Sequence, residues 1–530
     1  MTLRIKTLTI PVHAMQCADP VVDALAKQLA VPKEEILTAT IRKKSLDARK
    51  KGRAVYHLQV DFSARDEDTL LKLFSDLEPA PVLPVLDPLQ DIPFAKAQFR
   101  HPPVIIGSGP AGTFAALTLA RAGIKCVIVD RGEAVEQRIR TGNRLRRDGT
   151  FNAESNFCFG EGGAGTFSDG KLTCGRNHPL IRHLFNEFVR FGAPHSILYE
   201  AHPHIGTDYL LRISQRMRSS LTECGFEYLF ERRMVDFTTG SSQARYMLSL
   251  HDGTRIPTDH LVLAIGHSAR DTYHLLQSKK VLMVPKPFAM GARIEHPQEL
   301  INAIQFGSCQ LPAAAEYKLT AQSETRGIWT FCMCPGGHLL PTSAQDGHLA
   351  INGMSYHARN SGFANAAIVV GVRKEDFYRD DPLDGMRFQE AIEQHAFQEG
   401  GGKYFSPAQK LKDFMAGRLS KGELQSTYKP GVNSARLDRI LPEFASVALR
   451  AALQDYNQRM KGFLSDQAMI VGVESKTSAP VSLPRNENLE SQSHPGLFPA
   501  GEGAGYAGGI VSAALDGVRI GQAVLRNALS

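Results

Sequence analysis

Residues 104–130 constrain this chain more than any other stretch. Val104-Ile105-Ile106 is an apolar run with the character of a buried strand, and it runs into Gly107-Ser108-Gly109-Pro110-Ala111-Gly112. Thr113 to Arg121 then brings Phe114, Leu117 and Ala120 round at helical spacing. Cys126-Val127-Ile128-Val129 reads as the next strand, and Asp130 ends it, 23 positions after Gly107. The order predicts strand, glycine turn, helix and parallel strand. In such a unit the first glycine makes the tight turn, the second admits a pyrophosphate and the third lets helix pack on strand. The helix start adds free N–H groups and partial positive charge. Asp130 is placed to accept hydrogen bonds from adenosine ribose hydroxyls and to oppose a 2′-phosphate, which disfavours NADP there. The turn alone fits FAD and NAD equally.

Two later segments narrow the choice. Leu497-Phe498-Pro499-Ala500-Gly501-Glu502 reads as a strand ending in glycine and an acid, followed by Gly503, Gly505, Gly508, Gly509 and a helix from about Ile510. Leu261-Val262-Leu263-Ala264-Ile265-Gly266-His267 is an apolar strand with a terminal glycine. Together these segments resemble the FAD-binding pattern of the glutathione-reductase-type superfamily of two-dinucleotide-binding-domain flavoproteins. The resemblance gives Glu502 the role of the acid that binds the flavin's ribityl or phosphate portion, where the family more often has Asp. It points the following helix at the isoalloxazine ring, where a helix N-terminus stabilises negative charge. Ile265 stands where the superfamily usually has threonine.

Further segments are distinctive: Phe159 to Leu172 (FGEGGAGTFSDGKL), Phe331-Cys332-Met333-Cys334-Pro335-Gly336-Gly337, Ile351 to Ser355, and Ser45 to Lys51. With them the whole chain resembles a bacterial and plastid family of FAD-dependent dehydrogenases. The cofactor contacts expected on these grounds are Gly107, Gly109, Pro110, Ala111, Gly112, Asp130, Arg131, Gly162, Gly163, Ala164, Gly165, Gly266, Gly501, Glu502, Gly509 and Ile510. Clustered backbone N–H groups at Gly160 to Gly165 suit phosphate or flavin oxygens. The catalytic candidates are Cys334, Lys171 and His338, with His267 and His357 as further proton donors. Lys171 is either a partner of the reduced flavin or a surface lysine. Two-residue spacing puts Cys332 and Cys334 on one side of a strand, either as redox thiols or as packing.

The remaining chain divides around this unit. Residues 1–90 read as β-α-β-β-α, a small α+β domain of ferredoxin-like type. Its closing helix carries Leu70, Leu71, Phe74 and Leu77. Residues 79–103 hold seven prolines, with the linker proper at 91–101. The expected fold is α/β: a doubly wound, Rossmann-like FAD domain in two parts, 102–275 and 467–530, around an inserted α+β substrate domain at 276–466. In Arg42 to Arg53, seven of twelve residues are basic. That segment is either a solvated hairpin tip or an RNA-binding patch.

The net charge of +7 on 530 residues allows an acidic partner without requiring one. Eight scattered cysteines without CxxC spacing argue against a zinc site or disulfide framework, so no metal is expected. The uncharged stretch Pro102 to Ala120 is broken by glycines and is no membrane span; a cytoplasmic protein is expected. HExxH, P-loop and GxSxG patterns are absent from the sequence. The reading is therefore an FAD-dependent oxidoreductase of a small organic substrate, with NAD(P)H as a transient electron donor. The alternatives are an RNA-modifying flavoenzyme and a non-catalytic flavin-binding protein.

Overall fold

The computed structural model describes all residues except 1, 51–52, 83–84, 176, 241–243, 310, 312, 324–325 and 530. The N-terminal unit runs strand Leu3–Pro11, helix Pro20–Gln28, strands Ile36–Asp47 and Val55–Ala64, helix Glu67–Leu73 and strand Leu77–Pro79. Leu77 thus belongs to a sixth element and not to the helix. The helix stops at Leu73 because Phe74 turns extended, and Leu77 pairs with Ile5. The sheet order places Val55–Ala64 between Ile36–Asp47 and Leu3–Pro11, with every neighbour antiparallel. These are the strand directions of a split β-α-β unit. Inside it, Arg4 and Arg42 share Asp61 at 2.6 and 2.7 Å.

Arg42 to Asp47 of the basic segment lie in strand Ile36–Asp47, and its remaining described residues lie in the hairpin connection to Val55–Ala64. Lys44 donates its backbone N–H to Tyr199 O (2.7 Å), accepts from the Ala201 N–H (2.8 Å) and meets Glu200 at 3.1 Å. The hairpin is therefore stitched to the next domain. Lys51 and Gly52 lie outside the described residues.

The dinucleotide unit is a five-stranded sheet ordered Leu497–Pro499, Leu261–Leu263, Val104–Ile106, Val127–Val129, Glu227–Leu229, with each pair parallel. One face carries helices Pro110–Arg121 and Ile510–Asn527 through Ile105, Ile128, Val262 and Phe498. The doubly wound expectation puts helices on the other face too. That face instead packs against the antiparallel strands Met234–Thr239, Tyr246–Leu250 and Arg255–Thr258, with the short helix Arg270–Ser278. Leu89 and Ile92 bury into the helix side, so the proline-rich linker is fastened to this domain.

The inserted unit is a seven-stranded sheet. Its strands lie in the order Thr320–Ser323, Arg326–Cys334, Phe363–Val372, Phe288–Pro297, Met469–Glu474, Ser406–Lys410, Val432–Ser434. Helices Gln298–Phe306, Asp384–Glu399 and Glu443–Arg459 pack against it. Met469–Glu474 pairs with both Phe288–Pro297 and Ser406–Lys410. The expected boundary at 466 is therefore too early: this strand belongs to the insert, and the chain re-enters the parallel sheet at Leu497.

Candidate functional site

The turn after Val104–Ile106 is fixed by sterics and by one carboxylate. Gly107 has φ 101°, and a Cβ there would collide with Ala264 O. A Cβ on Gly112 would collide with Gly107 O, so the third glycine lets the helix close onto the turn. Asp130 accepts from Ser108 N–H (2.9 Å), Ser108 O–H (2.6 Å) and Gly132 N–H (2.9 Å). Its first duty is thus to hold the turn, a role the ribose reading left out, although it also lines the cavity below.

A second turn faces the first. Gly163 has φ 65°, and a Cβ there would sit 3.1 Å from Gly109 Cα. Two stretches of bare backbone therefore oppose each other. The second stretch is shaped by Arg138, which is wholly buried. Its guanidinium donates to Asn156 O, Gly160 O, Glu161 O and Gly163 O at 2.6–3.2 Å, and burial pushes it down to about 10. Glu161, next in the turn, accepts the Val135 N–H at 2.8 Å, and burial pushes its carboxyl up to about 7.

The third stretch arrives from the C-terminal strand. Gly501 turns at φ 68° and donates to Asp516 (2.7 Å), itself paired with Arg485 at 3.0 Å. Glu502 accepts the Ala479 N–H at 2.7 Å, and burial raises its carboxyl. Helix Ile510–Asn527 packs so closely on Pro110–Arg121 that a Cβ on Gly517 would collide with Ala111 O.

One cleft joins the three stretches. Its cavity volume is about 280 Å³, close to the lower end of the roughly 300–1,000 Å³ of common small-molecule sites. Gly107, Gly109, Pro110, Ala111, Asp130, Arg131, Gly163, Ala164, Gly165, Gly266, Glu502, Gly509 and Ile510 line it. Gly112, Gly162 and Gly501 do not. They act from behind: Gly112 in helix packing, Gly162 on a smaller neighbouring hollow, Gly501 in the turn held by Asp516.

These residues fit FAD. The cradle of Gly109 and Gly163 leaves room for a diphosphate, and the start of Pro110–Arg121 supplies unpaired N–H groups. At the wall, His267 is pushed down to about 3 by burial, aided by Lys476 and Arg270, so its ring is neutral. Its Nε2 is buried without a protein partner.

The catalytic candidates fare unequally. The Phe331 to Cys334 segment bulges and Cys332 takes φ 41°, so the two cysteines do not share a side. Both line the cavity, Cys332 exposed and Cys334 buried, and burial pushes the Cys334 thiol up to about 12, which disfavours a thiolate there. Lys171 lines the cavity and meets Asp169 (2.8 Å) and Glu316 (3.1 Å). Burial works to lower it, but these carboxylates outweigh burial and raise it. Burial also pushes the Asp169 carboxyl up, yet Lys171 and Arg359 hold it well below the usual carboxylate range. His338 and His357 are not in the lining: His338 stands beside Tyr356, and His357 stacks on His204 at 5.0 Å. The assignment of His338 to catalysis is corrected accordingly.

Sequence reasoning missed the group beneath the cavity floor. Arg293, fully buried, binds Glu474 (2.8 Å), Asn365 (2.8 Å), Cys332 O (3.0 Å) and Asn352. It fixes the bulge that exposes Cys332. Lys476 and Cys158, also at the wall, share Thr342 O. No motif flags Arg293, Glu474, Asn365, Lys476 or Cys158.

Comparison with known proteins decides the family. The family described as FAD-dependent protein, C-terminal domain-like, matches residues 287–477, and an FAD binding domain matches residues 101–146. A protein of Clostridium beijerinckii, described only as uncharacterized, is 41% identical over 508 residues, covering 94% of this chain and 95% of its own. This chain belongs to the family of FAD-dependent proteins. Within that family its residues 2–63 match a domain of unknown function. A structure of CtdE in complex with FAD and substrate 4 is 10% identical over 81% of this chain and 83% of its own, with TM-score 0.33. Tetracycline destructase Tet(51) is 10% identical over 79% of each chain, with TM-score 0.31. At these scores neither likeness carries an argument. Among the described residues no helix is long and apolar enough to cross a membrane.

Proposed function

We propose that this chain is an FAD-dependent oxidoreductase of a small or medium organic substrate, of the glutathione-reductase-type superfamily, with NAD(P)H as a transient electron donor. The observation that carries the reading is the single cleft. It runs from the glycine turns, past Glu502 and Lys171, to Cys332 of the seven-stranded sheet and Asn352 of the neighbouring strand Ile351–Met354. FAD, when bound, supplies hydride or electron transfer; the protein supplies binding, orientation and electrostatics. Gly109, Gly163 and the start of Pro110–Arg121 hold the diphosphate. Glu502 and the start of Ile510–Asn527 hold the ring end. Lys171, kept protonated by Asp169 and Glu316, is a fixed cation on the wall: it stabilises developing negative charge and does not give up a proton at neutral pH. His267, neutral, offers one ring nitrogen to the ligand.

The RNA reading is weaker on contacts. Arg42, Lys44 and Arg49 of the basic segment already face Asp61, Glu200 and Asp47. A cytoplasmic location fits the redox reading.

The decisive experiment is an absorption spectrum of the purified protein, followed by anaerobic titration with NADH and NADPH. A flavin spectrum bleached by either donor is expected. A colourless protein that FAD cannot reconstitute overturns the reading, and a flavin that no donor reduces leaves a binding protein in its place. Gly109→Val fills the space between the two turns and is expected to fold yet lose FAD; full occupancy would show the diphosphate elsewhere.

A further inference from the structure

Beside the coenzyme cleft, the face of the seven-stranded sheet has a floor of very small residues. Phe288–Pro297, Phe363–Val372 and Arg326–Cys334 are adjacent strands, with Ala289 opposite Gly371 and Ile328 opposite Val370. That register sets Ala289, Gly371 and Gly327 in one row. A glycine inside a strand normally answers a backbone or packing demand. Neither applies here. Neither glycine has the left-handed backbone. A Cβ on Gly371 would meet only Gly327 O at 3.9 Å, and a Cβ on Gly327 only the Trp329 ring at 3.6 Å. What their smallness leaves is room.

The room is walled by Trp329, the chain's single tryptophan, and Phe331, two positions apart on one strand and both half-buried, with Arg373 and the Asp376-paired Arg326 also in its lining. They pack against Ala289, Ala367 and Val369. The hollow encloses about 880 Å³ with its open side, and it shares Phe331 and Thr477 with the coenzyme cleft. Thr477 is itself pinned: its hydroxyl donates to Ala289 O at 2.6 Å and accepts the Ala289 N–H at 3.2 Å. The passage between hollow and cleft is thus fixed on one side.

We propose that this hollow binds the body of the substrate, and that the substrate carries a flat, apolar aromatic ring system. A ring lying on the glycine row presents its face to a flat floor and its edge to Trp329 and Phe331, the geometry aromatic pairs favour. Its reacting end extends past Phe331 toward the coenzyme. This rests on the redox reading for the reaction but not for the binding.

2-Naphthol serves as the probe, titrated by calorimetry into the full-length protein with and without FAD, with cyclohexanol as the non-aromatic control. Saturable naphthol binding is expected in both forms, with cyclohexanol weaker. Gly371→Leu, whose Cβ meets no described atom closer than Gly327 O at 3.9 Å, is expected to weaken naphthol roughly tenfold or more while the visible spectrum and FAD content stay unchanged. Trp329→Ala should weaken it and Trp329→Phe restore most of it. Unchanged affinity in Gly371→Leu, absent binding to the wild-type chain, or equal binding of cyclohexanol overturns the proposal. A wild-type protein that holds no FAD would instead count against the redox reading alone, since naphthol binding is read in either form.

Discussion

Arg138 and Arg293 are both wholly buried, yet they hold the two halves of the cleft differently. On the nucleotide side, Arg138 finds no carboxylate within hydrogen-bond reach and spends its donors on backbone carbonyls 18 to 25 residues away. On the sheet side, Arg293 meets a buried carboxylate and two amides 59 to 181 residues away, besides the Cys332 carbonyl. The nucleotide half is a local device that shapes a loop. The other half is a long-range assembly that needs a finished sheet. A neutral acceptor set tolerates losing its donor better than a buried charge tolerates losing its partner.

That contrast sets the order of effects. Arg293→Met strands Glu474 in the core and should cost about 3–5 kcal/mol, read as a fall in denaturant midpoint; a loss under about 1 kcal/mol would erase the distinction between the halves. Arg138→Met leaves several carbonyls without their donor and should cost about 2–4 kcal/mol. Its signature is different: FAD content falls in protein that is still folded, whereas Arg293→Met loses fold and coenzyme together.

The next effect is pH-dependent. His267 is pushed to about 3 in the folded chain, against about 6.5 when unfolded. Between those values the unfolded state binds the extra proton, so stability falls as pH drops through that window. The slope from this residue is at most about 1.4 kcal/mol per pH unit. His267→Gln should flatten the acid limb of the melting curve and leave the curve above pH 7 unchanged in shape. The smallest effect is expected at Lys43 and Lys50: charge reversal there should move stability by no more than about 0.5 kcal/mol. The same variants measured for RNA affinity against salt decide the remaining question about that segment.

The difference between the halves also explains what the sequence disclosed. The turn at Gly107 to Gly112 was legible because its spacing falls within one β-α-β unit, although only Gly112 answers a contact inside that unit: Gly107 meets Ala264 and Gly109 faces Gly163. The Gly160 to Gly165 turn was legible as glycine-rich, but its organiser Arg138 hides in an amphipathic helix full of arginines. Arg293 could not be read at all, since its partners come from four other strands. Cys332 and Cys334 misled because period-two alternation assumes an unbroken ladder, and a bulge breaks it. Met469–Glu474 was assigned to the wrong domain because an all-buried strand has the same apolar pattern in either sheet. Leu77 was placed in a helix because i+3 spacing continued beyond the point where Phe74 turns extended.

The interleaved connectivity has a consequence for biogenesis. Strand Leu497–Pro499 and helix Ile510–Asn527 follow the whole inserted unit along the chain, and domains form in order of synthesis. A nascent chain therefore displays both glycine turns well before Glu502 and the helix start beyond it exist. With the coenzyme placed as proposed, tight flavin capture waits for the later segment, and a product terminated before it is expected to stay pale.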